Sequence, residues 1–172
     1  YNVFNYLKNC LKSLDTYKPS ILYEIILIDN NSYLDKIPLN DIKNLNIKVY
    51  QYDSNLGFSK AVNIGIKKSK GDYVLLMNPD TYLVDNSIDK MIGYMKRNDK
   101  IGIIGSKVLY PSGEYQLSSK RHFPTIGIMF SKLLKFDKIF YSHNYFGKYN
   151  YSFQGNDELM EVDSVSGSFL MF

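Results

Sequence analysis

The stretch Tyr73-Val74-Leu75-Leu76-Met77-Asn78-Pro79-Asp80 is an apolar run cut short by a turn-forming tripeptide. A short, unalternating apolar segment suits a strand covered on both faces. Pro79 fixes its own φ and holds Asn78 extended, so Asp80 is presented at a defined angle just past the strand end. The same arrangement occurs upstream. Tyr23-Glu24-Ile25-Ile26-Leu27-Ile28 is a nearly continuous apolar run that stops at the loop formers Asp29-Asn30-Asn31-Ser32. Ile47 to Tyr52 is a strand by its β-branched and aromatic content, followed by a turn at Asp53-Ser54-Asn55-Leu56-Gly57. Ile101 to Tyr110 reads as a fourth strand, and Pro111-Ser112-Gly113-Glu114 as a tight turn.

Helical periodicity fills the intervals. Phe4, Leu7, Leu11 and Leu14 fall on one face of a helix that ends before Pro19. Residues 35–45 are weakly helical. A helix over 59–69 would bury Ala61, Val62 and Ile66, with Lys67, Lys68 and Lys70 near its C-terminus and Gly71 as its stop. Another over 87–97 has Asn86 at its N-cap and turns Ile88, Met91, Ile92 and Met95 to the core. Strands alternating with helices predict an α/β fold, a mostly parallel, doubly wound sheet with helices on both faces. Ligands of such sheets bind beyond the carboxyl ends of the strands, which singles out the loops opened by Asp29 and by Asn78. After about residue 115 the alternation dissolves. Between Phe136 and Phe153 eight aromatics (Phe136, Phe140, Tyr141, Tyr145, Phe146, Tyr149, Tyr151 and Phe153) are interleaved with polar residues at no clean period, as in a cleft wall or flap.

Composition narrows the function classes. A chain of 172 residues, 45% hydrophobic, can build a core without staples, and the lone Cys10 excludes a disulfide framework or a Cys-rich metal site. No apolar run approaches the roughly 20 residues that span a bilayer, and no charged-then-apolar leader is seen. Of the 21 basic residues only Arg97 and Arg121 are arginine and the lysines are scattered, so no nucleic-acid partner is expected. A pI near 8.9 permits peripheral association with an anionic membrane surface, or attraction to a phosphate-bearing ligand. The chain opens on Tyr1 and stops inside the apolar run Phe169-Leu170-Met171-Phe172. Both ends look cut, and the expectation is an internal piece of a longer protein.

Three loops could carry chemistry. The Asp29 carboxylate, at the end of a buried strand, could accept hydrogen bonds from a ribose or base; equally, Asp29-Asn30-Asn31-Ser32 could be only a turn or cap. Asp80 is a lone carboxylate of the kind that holds Mg²⁺ together with phosphate oxygens and water, although Asn-Pro-Asp is also an ordinary turn. In Asn55-Leu56-Gly57-Phe58-Ser59-Lys60-Ala61-Val62-Asn63, Gly57 permits close backbone approach just before a helix N-terminus, where N–H groups favour an anion such as a diphosphate. Gly57 could also serve the turn alone. Neither GxGxxG nor a Walker A sequence occurs, which argues against dinucleotide oxidoreductases and P-loop enzymes.

Taken in order, Asp29-Asn30-Asn31-Ser32, Asn55-Leu56-Gly57-Phe58 with Asn63, Gly71-Asp72-Tyr73 leading to Asn78-Pro79-Asp80-Thr81, and Val165-Ser166-Gly167-Ser168 closely resemble family 2 glycosyltransferases of the GT-A fold. Within them the sequence is most similar to the rhamnosyltransferase-like branch that builds bacterial surface polysaccharides. The stretch from Asn55 to Thr81 is the specific part. The resemblance implies a single GT-A (Rossmann-like) domain over 1–172, incomplete at both ends, with a nucleotide-sugar-binding part over 1–110 and the start of an acceptor-side part over 111–172.

By that resemblance Asp29, with Asn30, contacts the base or ribose. Asn55, Gly57, Phe58, Asn63, Asn78, Gly167 and Ser168 belong to the substrate site. Asp80 binds a divalent metal, Mg²⁺ or Mn²⁺, that bridges the donor diphosphate, and Asn78 stands where many relatives carry the first Asp of a DxD motif. Donors of the dTDP- or UDP-sugar type, rhamnose among them, and a glycan or lipid-linked acceptor follow, with transfer by inversion in the cytoplasm or at the cytoplasmic face of the membrane. The catalytic base of relatives lies beyond the segment matching Gly167-Ser168, so here it is expected beyond Phe172, and the fragment would not turn over. Asp157, Glu158, Glu161 and Asp163 occupy no such position and read as a solvated loop and strand edge. Arg121-His122-Phe123-Pro124 also resembles a family segment without a role to carry over, His122 reading as structural. The alternatives are a nucleotide-sugar-binding module without catalysis and, more weakly, a sugar-nucleotide pyrophosphorylase-like nucleotidyltransferase.

Overall fold

The computed structural model describes residues 3–32, 42, 44–140, 142–155 and 157–172, with the side chains at 137 and 138 left aside. The weakly helical reading of 35–45 falls largely outside them, as does Tyr141. The chain forms two compact units, Tyr1–Ile103 with Met171–Phe172, and Ile104–Leu170. The fold class is α/β, as expected.

In the first unit, α1 (Phe4–Thr16) buries Leu7, Cys10, Leu11, Ser13 and Leu14, an i, i+3, i+4, i+7 stripe joined by one serine. Strands β1 (Ile25–Asn30) and β2 (Ile47–Tyr52) pair in parallel, from Ile25 opposite Ile47 to Asn30 opposite Tyr52. Strand β1 therefore runs two residues past the predicted stop, taking in Asp29 and Asn30, because β2 continues alongside and pairs Asp29 with Gln51 and Asn30 with Tyr52. Helix α2 (Phe58–Lys68) packs on β1, where Gly65 lets the Ile28 side chain come within 3.6 Å of the place a Cβ would occupy. Its Ala61, Val62 and Ile66 are half-buried rather than buried. Strand β3 (Leu75–Met77) is shorter than its apolar run, and just before it Val74 exchanges both backbone hydrogen bonds with Phe172, at 2.8 and 3.1 Å, an antiparallel pairing. Helix α3 (Ser87–Arg97) has the predicted bounds and buries Ile88, Met91, Ile92 and Met95. Asn86 stands at its N-cap position, yet makes no side-chain cap bond; its carbonyl accepts from the Lys90 N–H.

In the second unit the predicted strand Ile101–Tyr110 is reduced to β4 (Ile104–Gly105) and a single antiparallel bridge between Leu109 and Tyr115. At Gly105 a Cβ would meet Val165 at 3.0 Å, so this strand passes too close to its neighbour for any larger residue. The turn at Pro111–Glu114 forms as read, with Gly113 at φ +86° and the Tyr110 N–H donating to the Glu114 carbonyl at 2.8 Å. Strand β5 (Lys120–Arg121) pairs antiparallel with β6 (Ser164–Val165). Helix α4 (Ile126–Leu133) starts at Thr125, whose hydroxyl accepts from the Ile128 N–H at 3.4 Å, and is followed by the short α5 (Phe136–Ile139). The aromatic segment condenses around Phe136, Phe140 and Phe146, with ring centroids 5.4–6.5 Å apart. Strand β7 (Phe169–Met171) carries the chain back toward the first unit's residues. No helix among the described residues is long and apolar enough to cross a membrane.

Candidate functional site

The carboxyl end of β1 is built from polar side chains that bind backbone. Asp29 is buried, and its Oδ2 accepts the Ser32 N–H at 3.0 Å, so the turn role considered for it is real for one oxygen. Among the described residues Oδ1 has no hydrogen-bond partner. Asn31 closes the turn in the left-handed region at φ +68°, and Gln51 of β2 donates from Nε2 to the Ser32 carbonyl at 3.2 Å.

Asn30 reaches across to the next loop. Its Oδ1 accepts the Leu56 N–H at 3.0 Å and its Nδ2 donates to the Gly57 carbonyl at 3.3 Å. Asn55 Oδ1 accepts the Gly57 N–H at 2.9 Å, an Asx turn. Three side-chain bonds from two asparagines thus fix the peptide that opens α2. Gly57 has φ +80° and ψ 163°, a conformation essentially confined to glycine, and nothing lies within 4 Å of where its Cβ would stand. No side chain caps α2, so its first-turn N–H groups are presented to an open approach, an arrangement suited to a phosphate. Phe58, the first helical residue, is 61% exposed, and Asn63 is exposed one turn further along.

The loop after β3 is held from beneath by α1. The Asn78 carbonyl accepts the Thr81 N–H at 3.0 Å and the Cys10 S–H at 3.9 Å. Ser13 Oγ accepts the N–H of buried Leu83 at 2.9 Å while donating to the Cys10 carbonyl at 2.7 Å. Asp80 lies on this loop with its side chain exposed. Burial pushes the Cys10 thiol up to about 12, and the Asp80 charge adds to it. Sequence periodicity assigned α1 a packing role only. The anchoring by Ser13 and Cys10 was missed, although both sit on the stripe of Leu7, Leu11 and Leu14, where a polar residue signals a partner on another element.

The described hydrogen bonds unite Asn30, Asn55 and Gly57 in one patch, with Asp29 preceding Asn30 on β1 but bonded to Ser32, and place Asn78 and Asp80 on a second, separately anchored loop. Gly167 and Ser168 belong to the second unit; Ser168 bonds Ser166 through their hydroxyls at 2.9 Å and Gly167 is exposed. There too, the backbone N–H of His122 donates to the Tyr149 carbonyl at 2.8 Å and its Nδ1 lies 3.2 Å from Asp163. Asp163 is more than a solvated edge, since it also accepts the Phe123 N–H at 2.8 Å. Asp157 pairs with Lys107 at 2.6 Å.

No group of three or more His, Cys, Asp or Glu side chains converges among the described residues. A single exposed carboxylate on a rigidly held turn nevertheless fits Mg²⁺ or Mn²⁺, which need only one or two protein carboxylates when substrate phosphates and water complete the shell.

The sequence profile of the family described as glycosyl transferase family 2 matches residues 1–160. An "Uncharacterized glycosyltransferase" of Haemophilus influenzae is 30% identical over 108 residues, 62% of this chain and 33% of that protein. Glycosyltransferase GlyG of Streptococcus pneumoniae is 25% identical over 119 residues, 66% of this chain and 38% of its own. The poly(ribitol-phosphate) beta-N-acetylglucosaminyltransferase TarP of Staphylococcus aureus is 31% identical over 102 residues, 58% of this chain and 29% of its own. The chain thus spans about a third of the length of the curated relatives it matches.

Proposed function

The chain belongs to glycosyl transferase family 2, and we propose on that premise that it contributes the donor site of an enzyme moving a sugar from a nucleotide diphosphate to a glycan or lipid-linked acceptor. The observation that carries the reading is the pair of hydrogen bonds by which Asn30 accepts from the Leu56 N–H and donates to the Gly57 carbonyl, fixing an open, uncapped helix start beside the carboxyl end of β1. A diphosphate placed there meets backbone N–H groups and the positive end of α2. Asp29, its orientation set by the Ser32 N–H, offers Oδ1 to a ribose hydroxyl or base N–H. Asn30 and Asn55 act chiefly by holding the phosphate-facing backbone, while Phe58 and Asn63 border it.

Asp80 is the residue we assign to a divalent metal, Mg²⁺ or Mn²⁺, with Asn78 shaping the turn that presents it. When bound, the metal supplies positive charge to the departing diphosphate. Transfer with inversion requires a carboxylate base to take the acceptor hydroxyl's proton as it attacks the anomeric carbon. We assign that role to no residue here and place it beyond Phe172, with Gly167 and Ser168 on the approach to it. Donors of the dTDP- or UDP-sugar type, rhamnose included, and cell-surface polysaccharide as product complete the proposal. Exposed Ile126, Phe130 and Leu133 on α4 support peripheral contact with the cytoplasmic face of a membrane, where a lipid-linked acceptor would reside.

Calorimetry of the intact gene product with UDP and dTDP, with and without Mn²⁺, tests this. Binding should be saturable, tighten with Mn²⁺, and lose that gain in Asp80→Ala. Affinity indifferent to both metal and Asp80 would overturn the metal assignment, and no nucleotide binding at all would overturn the donor site.

A further inference from the structure

A cavity of about 320 Å³ opens in the second unit, walled by Tyr110, Tyr115, Tyr149, Ser118, Arg121 and Lys132 among others. That volume is at the lower end of small-molecule sites and suits one sugar or polyol unit. The tyrosines give it flat apolar faces with polar edges, the surface a sugar's C–H face and hydroxyls need.

Its charge is one-sided. Lys132 Nζ stands 3.8 Å from the centre of the Tyr149 ring. The Arg121 guanidinium has no ion-pair or hydrogen-bond partner among the described residues. Behind the wall, Lys120 is 8% exposed, its Nζ 5.6 Å from the centre of Tyr115 and, among the described residues, held by the Gly155 carbonyl at 3.4 Å and the Met160 sulfur at 3.1 Å. Burial draws its ammonium below the usual lysine range, in keeping with a cation lacking a counter-charge. Among the described residues no Asp or Glu lines the cavity. Asp163, the residue just before β6, is already engaged by His122 and Phe123, and Asp157 by Lys107.

Three cations gathered around aromatic walls with no carboxylate among them leave the compensating charge to a ligand. A planar guanidinium and an ammonium approaching from separate residues match a phosphate better than a single-faced carboxylate. From the juxtaposition of Arg121, Lys132 and the tyrosines we propose that this cavity binds a phosphorylated sugar or polyol unit of an anionic acceptor. This rests on the glycosyltransferase reading and specifies its acceptor class; the phosphate belongs to the glycan rather than to a lipid carrier, since the walls also offer Ser118 and Asn150 to hydroxyls.

The test is titration of the intact gene product, followed by NMR or calorimetry, with glucose 6-phosphate, glucose, glucuronate and a short isoprenyl phosphate, in parallel with UDP. Glucose 6-phosphate should bind at least tenfold more tightly than glucose, glucuronate or the isoprenyl phosphate. Arg121→Gln and Lys132→Gln should each weaken it about tenfold while UDP affinity stays within twofold. Tighter binding of the isoprenyl phosphate, equal binding of glucose, or no effect of either substitution overturns the proposal. So does failure of glucose 6-phosphate to bind a protein that still binds UDP. Loss of UDP binding in the unaltered protein would instead remove the donor reading beneath it.

Discussion

Replacing Ser13 by alanine isolates the anchor of the Asp80 loop. The Ser13 hydroxyl accepts the Leu83 N–H at 2.9 Å, and both residues are buried, at 9% and 6% exposure. Alanine fills nearly the same space, so no large cavity forms, and the cost is that of a buried N–H left without an acceptor, about 1–3 kcal/mol. The bond donated to the Cys10 carbonyl adds little, because that carbonyl lies inside α1 and keeps its helical partner. For a domain of this size, each kcal/mol lowers Tm by about 2–4 °C, so Ser13→Ala should melt roughly 2–12 °C early. Thermal unfolding followed by circular dichroism reads this directly. The functional consequence is specific: with the far end of the Asn78–Leu83 segment released, the tightening of UDP by Mn²⁺ should shrink, while metal-free UDP affinity changes little. Thr16→Ala is the control, since its hydroxyl bonds the Lys12 carbonyl on the exposed side of the same helix and should cost no more than about 0.5 kcal/mol. A Ser13→Ala protein that melts within a degree of the parent and keeps its full Mn²⁺ effect would refute the assignment of Ser13 as the loop's anchor.

Two further outcomes follow from the same loops. Gly57→Ala meets no steric obstruction, because nothing lies within 4 Å of the new Cβ, yet its φ of +80° remains strained; unfolding in urea should show a loss of about 1–3 kcal/mol, and UDP should bind more weakly as the helix start shifts. The Cys10 thiol, raised from 9.0 to about 12 chiefly by burial and then by Asp80, keeps its proton in the folded chain where the unfolded chain has lost it. Folded protein therefore loses stability as pH rises from about 9 toward 12, and its thiol should resist alkylation at pH 8 until denaturant is added. Cys10→Ala should flatten the stability slope in that window, and an unchanged slope would show that other groups set it.

Most of the fold was legible wherever periodicity was strong and the packing local. The bounds of α3 and the buried stripe of α1 follow from spacing, because each helix buries one repeating set of side chains, and those of β2 follow from its β-branched and aromatic content. The reading failed where polarity was equated with the end of an element. Strand β1 continues through Asp29 and Asn30, and the Ile101–Tyr110 run yields only two strand residues beside Val165, since strand length is set by what lies alongside and not by the run itself. The site shows the same limit in a sharper form. Motif position assigns Asn30 and Asn55 to the substrate site, and the structure adds that their carboxamides bond the backbone of Leu56 and Gly57, a relation across 26 and 27 residues for Asn30 that no local pattern encodes. Motif spacing locates the loop, whereas the structure supplies a reason for the residue type: the carboxamide of Asn30 accepts from one peptide through Oδ1 and donates to the next through Nδ2. Aspartate at position 30 would keep the Leu56 bond but set a negative oxygen against the Gly57 carbonyl, beside the place proposed for a diphosphate. The bonds to Leu56 and Gly57 and the charge of the proposed diphosphate thus favour the amide at that position together.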